Sequence, residues 1–416
     1  MKILYAVGAY GPRYIANEIH RELVQEFARR GHQVIVYAGV TPGELGAESI
    51  AYRDGSILVE RTLIDARGRD RIATEISRRL FHYPRFLPLL RGLRRLLRRY
   101  PDIDVIHADA VYPIGALVAL AAATHRAAIV PSIHGGDLIA YPGYGYGRFA
   151  VARRLTQYVW ERSALVRVNS PLMAARAREL GCPPSKLRHV LVNIGDRFFD
   201  DSRPLLQRRL DARAIVARQH HLDRDAPLLL GTGRLLPLKG FHDLIAAMRL
   251  LRDSQPAARV IIAGPNFIDP RDGDQRESLQ RAIATQGLDD CVILRDSLRY
   301  ESEMALYLAA ADLLVAPAHI EGLNRVVAEA GSQGTPSIVT DCTGIAPLVM
   351  SHGAGAVIPT RDPATLAAAI ERLLGLTTHG QAAAGAQRLA QRFRSAVIAD
   401  QLLTLYTDAH ESTAQP

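Results

Sequence analysis

Lysine and cysteine are scarce in this chain. Three cysteines, Cys182, Cys291 and Cys342, stand far apart with no CxxC among them. That removes the material for a disulfide framework or a zinc site and leaves a reducing cytosol as the expected setting. Long apolar runs are missing as well. Residues 116–130 come near one but are broken by His125 and Arg126, so no segment is expected to span a bilayer. The chain opens on Lys2-Ile-Leu-Tyr-Ala-Val7, which reads as a strand and not as a secretory signal. No reading motif or interleaved aromatic accompanies the basic charge, so nucleic acid is not an expected partner. Lysine occurs only at Lys2, Lys186 and Lys239, and the net charge of +9 therefore rests on arginine.

What is present suffices for two ordinary globular domains: 416 residues, 48% of them hydrophobic. A mean hydropathy of +0.01 fits a soluble protein. The basic excess concentrates between Arg67 and Arg99, where eleven arginines face only Asp70 and Glu75. Within it Leu89, Leu90, Leu93, Leu96 and Leu97 recur at helical spacing, with Arg91, Arg94, Arg95, Arg98 and Arg99 between them. Such a basic amphipathic helix has two readings, a surface helix packed on its own core or a helix docked on an anionic membrane surface.

Short apolar runs alternate with helical patterns from end to end. Strands are expected at 3–7, 33–38, 104–108, 128–133, 165–169 and 189–192, then at 227–232, 260–264, 292–295, 312–316, 337–340 and 356–358. Helical patterns at 17–30, 113–124, 243–252, 301–310, 324–332 and 363–374 separate them. This alternation predicts an α/β chain of parallel sheets built from βαβ units. Two doubly wound domains, divided near Gly195, should bind ligand at the carboxyl ends of their strands, in a cleft between them. A terminal helix is expected over 389–406 and a loose tail from 409.

Glu321 and Glu329 are the most informative residues. The run from Asp312 to Pro317 leads into a loop carrying Glu321 and Gly322, and an apolar helix expected from Leu323 carries Glu329. On a helical path the two carboxylates stand about 12 Å apart, a span that suits the hexose and ribose ends of a nucleotide sugar. Amides of the first helical turn would face the diphosphate between them.

Three loops add candidates. Gly231-Thr-Gly-Arg-Leu-Leu-Pro-Leu-Lys-Gly240 follows a buried strand, and its Gly233 allows a tight turn. Its Arg234 and Lys239 bring two cations to one strand end, where a diphosphate leaving group needs neutralising. Ser132-Ile-His134-Gly-Gly-Asp137 places a histidine that can exchange a proton near neutral pH beside two glycines. The other reading is a turn histidine with Asp137 as a cap. Gly8-Ala-Tyr-Gly11-Pro-Arg13 and Asp109 are weaker acceptor-side candidates. Two DxD pairs, Asp102/Asp104 and Asp272/Asp274, imitate a metal site, but strand entry and turn formation explain them more cheaply. No metal and no cofactor are expected.

Taken in order, Asp104-Val-Ile-His, Ser132-Ile-His-Gly-Gly-Asp, Asn193-Ile-Gly-Asp, Gly233-Arg-Leu-Leu-Pro-Leu-Lys-Gly and Glu321-Gly-Leu…Glu329-Ala…Gly334-Thr-Pro resemble the retaining glycosyltransferases of family 4. The resemblance covers nearly the whole chain. It implies the GT-B fold: an acceptor-side Rossmann-like domain over 1–195, a nucleotide-sugar domain over 196–385, and a segment 386–416 whose helix crosses back to the first. It further implies that Arg234 and Lys239 hold the donor's diphosphate, Glu321 the transferred sugar and Glu329 the ribose. Gly322, Leu323, Asn324 and Arg325 would contact sugar and phosphate, and His134 would stand beside the reacting carbon.

Three departures are visible. The first loop lacks an adjacent glycine pair, Leu323-Asn324 replace the usual Phe-Gly, and Gly344-Ile-Ala-Pro347 lacks the acid of Gly-Ile-Pro-Glu. Gly331 is also unusual inside a helix. The expected activity is metal-independent transfer of a hexose from a UDP- or GDP-sugar to a glycan or glycolipid hydroxyl, in the cytoplasm or peripherally at the inner membrane face. The alternatives are a nucleotide-sugar epimerase or hydrolase, or a non-catalytic sugar-nucleotide-binding membrane adaptor.

Overall fold

The computed structural model describes residues 1–11, 18–141, 145–200, 202–271 and 273–414. Its two compact units are Met1–Asn193 with Ser395–Pro416, and Ile194–Arg394. The division thus falls between Asn193 and Ile194, and the segment returning to the first unit starts at Ser395, against expected positions of 195 and 386.

The first unit is built on eight strands: β1 (Lys2–Ala9), β2 (Gln33–Val40), β3 (Ala51–Asp54), β4 (Ile57–Leu63), β5 (Val105–Ala108), β6 (Ala128–Ile133), β7 (Val166–Val168) and β8 (Leu187–His189). They lie in the order β3-β4-β2-β1-β5-β6-β7-β8. Only the β3–β4 pair is antiparallel, a hairpin turned at Gly55, where φ is 63°. The second unit carries β9 (Leu228–Thr232), β10 (Arg259–Ala263), a two-residue pair β11 (Ile268–Asp269) and β12 (Gly273–Asp274), then β13 (Val292–Arg295), β14 (Leu313–Ala316), β15 (Ser337–Thr340) and β16 (Gly355–Ile358). Its main sheet, β13-β10-β9-β14-β15-β16, is parallel throughout. Strands such as β5, β6 and β14 are buried at every residue, which is why they read as unbroken apolar runs. In each sheet the strand order reverses at a central strand, β1 between β2 and β5, and β9 between β10 and β14. Doubly wound sheets bind ligands beyond the carboxyl ends of the strands at that point.

Several local expectations need correction. The strand expected at 189–192 lies at Leu187–His189, because the carbonyls of Val190 and Leu191 are taken by the buried Arg167 guanidinium instead of a ladder. The hairpin β3–β4 had no counterpart among the expected strands. One terminal helix over 389–406 resolves into two, Leu376–Gln391 and Ser395–Ala414. No loose tail begins at 409: the second of these helices runs to Ala414, and Ala409 is fully buried. Gly331 has a packing reason, since a Cβ there would stand 2.4 Å from the Ala386 carbonyl oxygen of the neighbouring helix.

The basic amphipathic helix is found over Phe86–Arg99, and its five leucines are all at most 8% exposed. Gly92 lets it approach the sheet so closely that a Cβ would meet the Thr62 hydroxyl and Tyr37. Tyr37 donates its hydroxyl proton to the Leu89 carbonyl at 2.7 Å. The apolar stripe is therefore packed on the protein's own core, the first of the two readings of this helix. Its arginines stay outside, with Arg91 on Asp70 and Arg99 on Glu60.

Candidate functional site

In the second unit the candidates gather at the carboxyl ends of β9 and β14. After β9 the chain turns through Gly233, whose φ of 144° suits glycine and whose open side packs against the Lys239 stem. Gly240 then takes the left-handed conformation, φ 68°, with its Cα so near Pro317 that a Cβ would lie 2.0 Å from that carbonyl oxygen. The His319 amide donates to the Leu238 carbonyl at 2.7 Å, and the His319 ring meets Asp243 at 2.8 Å. These contacts staple the Lys239 turn to the loop after β14. Across that staple Lys239 Nζ forms an ion pair with Glu321, 82 residues away, with both side chains about one-fifth exposed. Glu321 is fixed by its backbone, its amide donating to Cys342 and its carbonyl accepting from Gly344 at 3.0 Å. Arg234 is exposed on the same turn.

The following helix starts later than expected, at Val326 and not Leu323. Gly322, Leu323 and Asn324 form a buried non-helical connection, with Asn324 at φ 74° and Arg325 at the cap. Glu329 consequently sits in the first turn, and the straight-helix estimate of its distance from Glu321 does not apply. Its carboxylate is 3% exposed and accepts from the Tyr300 hydroxyl at 3.1 Å. Tyr300 is held edge-on to Phe198 and under the Arg197 guanidinium. Tyr300 and His319 escaped the sequence reading, since neither sits in a recognisable spacing with its partner.

In the first unit the candidates gather at the ends of β1, β5 and β6. Asp109, just past β5, is flanked by two histidines: Oδ1 lies 3.2 Å from His134 Nε2 and Oδ2 lies 3.3 Å from His20 Nε2. Tyr5 meets the other His20 nitrogen at 2.9 Å. Burial pushes the Asp109 carboxyl up, but His20 and His134 outweigh it and hold the group below the usual carboxylate range. His107, fully buried in β5, stacks on Tyr5 and bonds to Ser132 and to Tyr406. Burial, and then the charge of Arg167, pushes its imidazole well below the ordinary histidine value.

Both Asp137 carboxylate oxygens are engaged by backbone amides. It accepts the amides of Gly135 at 2.9 Å, Val111 at 3.2 Å and His134 at 3.3 Å, which makes it the clamp of the His134 loop. Burial raises its carboxyl. Gly8 belongs to β1 and not to the loop after it. Gly11 follows that strand, while Pro12 and Arg13 lie outside the described residues. The described aspartates of the two DxD pairs have structural partners of their own. Asp102 and Asp104 are both tied to Lys2, at the opening end of β1, and Asp274 caps the helix Gln275–Thr285. Asp272 lies outside the described residues.

Two doubly wound units, each with charged side chains at the carboxyl ends of its central strands, define the class of GT-B folds. Family models match in both: Glycosyltransferase Family 4 over residues 19–191 and Glycosyl transferases group 1 over residues 213–387. The chain belongs to glycosyltransferase family 4. It is 31% identical to a D-inositol 3-phosphate glycosyltransferase of Thermomonospora curvata over 58% of this chain, and the match spans 56% of that relative's length. It is 27% identical to a GDP-mannose-dependent alpha-(1-6)-phosphatidylinositol monomannoside mannosyltransferase of Mycolicibacterium smegmatis, over 68% of this chain and 70% of the relative. Among solved structures, HepE of Anabaena in complex with UDP superposes with a TM-score of 0.71 at 19% identity, covering 98% of this chain and all of that one.

Proposed function

We propose that this protein is a retaining, metal-independent hexosyltransferase that moves a sugar from a UDP- or GDP-linked donor to a hydroxyl of a glycan or glycolipid. The observation that carries the reading is the Lys239–Glu321 pair, stapled at the carboxyl ends of β9 and β14 with Arg234 on the same turn. A cation and an anion preorganised side by side can serve the two ends of one bond, the diphosphate and the sugar hydroxyls. Glu329, anchored by Tyr300, would hold the ribose hydroxyls.

In the proposed step the bond from the anomeric carbon to the phosphate oxygen breaks, and its electron pair leaves with the diphosphate. Arg234 and Lys239 balance the charge that develops there, in place of a divalent ion. The acceptor oxygen then bonds to the same face of the carbon and gives its proton to the departing phosphate. No side chain need form a covalent intermediate. In the first unit, His134 held by Asp109 supplies a hydrogen-bonding group for the acceptor side. A glycolipid acceptor fits the phosphatidylinositol monomannoside named for one relative, and it would place the enzyme at the inner face of the membrane.

Calorimetry with UDP and GDP, followed by transfer assays with and without EDTA, tests this reading. Binding of one of the two nucleotides and EDTA-insensitive transfer are expected. Failure to bind either nucleotide overturns the transferase reading. Loss of transfer in EDTA with recovery in manganese overturns the metal-free step. Donor breakdown that never needs an acceptor would assign a hydrolase instead.

A further inference from the structure

The arginine-rich stretch contains a second helix, Arg71–Phe81, whose packing is the reverse of its neighbour's. Ile72 is 76% exposed, Ile76 41% and Leu80 59%. At four-residue spacing these side chains share one face of the helix. Ser77 is the only buried residue of the element. The helix is nevertheless firmly seated. The Ser77 hydroxyl accepts the Leu87 amide at 3.0 Å, Phe81 stacks on Phe86 at 4.1 Å, and Asp70 before its first turn is held by Arg91. A fixed helix that turns three aliphatic side chains to water is a poor arrangement for a surface with nothing to meet.

We propose that this face is a docking surface for an anionic lipid bilayer. The charge around the stripe chooses the occupant. Arg67, Arg69, Arg71, Arg78 and Arg79 are exposed beside it, and its one acid, Glu75, is already neutralised by Arg78 and Arg79. The adjoining helix adds Arg94, Arg95 and Arg98, also exposed. A second copy of the chain packed on this face about a twofold axis would press these arginines against themselves. A layer of anionic headgroups instead receives the guanidiniums while Ile72, Ile76 and Leu80 enter the acyl boundary. The proposal deepens the function above by naming where a membrane is met, but docking itself requires no donor and no transfer.

The full chain is mixed at low salt with vesicles of phosphatidylcholine containing phosphatidylglycerol, or of phosphatidylcholine alone, and sedimented. It should travel with the anionic vesicles, be released by salt, and ignore the neutral ones. The combined variant Ile72→Ser, Ile76→Ser, Leu80→Ser should lose at least about tenfold in vesicle partition, from the apolar area removed. Its melting temperature and nucleotide binding should be unchanged. A wild-type chain that stays in the supernatant overturns the proposal. So does a serine variant that sediments like the wild type, or a dimer in gel filtration that the serine variant splits. Vesicle binding without transfer would leave this inference standing and remove the activity, while the opposite result would do the reverse.

Discussion

The two units solve one problem with different chemistry. Both place charged side chains at the carboxyl ends of central parallel strands. The second unit uses groups of fixed charge, Lys239 with Glu321, locked by a backbone staple through Gly240 and His319. The first surrounds one carboxylate with imidazoles, His20–Asp109–His134, above a buried and neutral His107. Fixed charge suits a constant electrostatic task such as holding a diphosphate. Imidazoles suit a task in which a proton position matters.

Breaking the fixed charge should have the largest effect. Lys239→Ala removes the cation proposed for the leaving group and leaves Glu321 without it, so kcat/KM should fall by about a hundredfold or more. Circular dichroism should show the fold retained. A loss of less than about threefold would mean that the pair serves the scaffold rather than the reaction.

A change of backbone tests the staple itself. Gly240→Ala puts a Cβ 2.0 Å from the Pro317 oxygen at φ 68°, and should cost about 2–4 kcal/mol of stability by urea unfolding. Lys239 should be displaced with it, so activity should fall even where the protein remains folded.

The smallest of the three effects belongs to the first unit and appears only with pH. His107 is held neutral when folded, with its proton affinity depressed below that of the unfolded chain. The unfolded state therefore binds more protons as pH falls below about 6.5, and stability present above that pH is lost on acidification. The unfolding free energy from urea titration should decline from pH 7 towards pH 5, by about 1 kcal/mol or more per unit once fully below the unfolded value. His107→Phe keeps the stack on Tyr5, though it strands the Ser132 and Tyr406 hydroxyls. It should be less stable at pH 7 but show a flatter decline. An unchanged slope would locate the acid sensitivity outside this strand.

Much of this was legible in the sequence where the signal is local. The strands at 128–133 and 337–340 fall where expected, because a fully buried strand is a short apolar run whatever surrounds it. The Glu321 loop and the Lys239 turn were marked by glycines and by a lysine in an arginine-using chain. The start of the Glu329 helix was misplaced because Leu323 continues an apolar pattern, while the left-handed Asn324 breaks the path beneath it. The partner of the leucine stripe was open for a related reason. A leucine stripe between arginines reads the same whether its partner is lipid or β-sheet, and the three aliphatic residues of the shorter helix are too sparse to stand out.

By itself, then, the sequence determined the α/β alternation, most of the parallel strands, and the turns that carry Glu321, Lys239, Asp109 and His134, all of them set by periodicity and backbone preference over a few residues. Tertiary structure alone decided that Lys239 meets Glu321, that Asp109 lies between His20 and His134, and that Leu93 is covered while Ile72 is bare. Those outcomes depend on which distant segments the strand order brings together. Electrostatic pairing and burial act through space, so they become definite only when both partners have been placed.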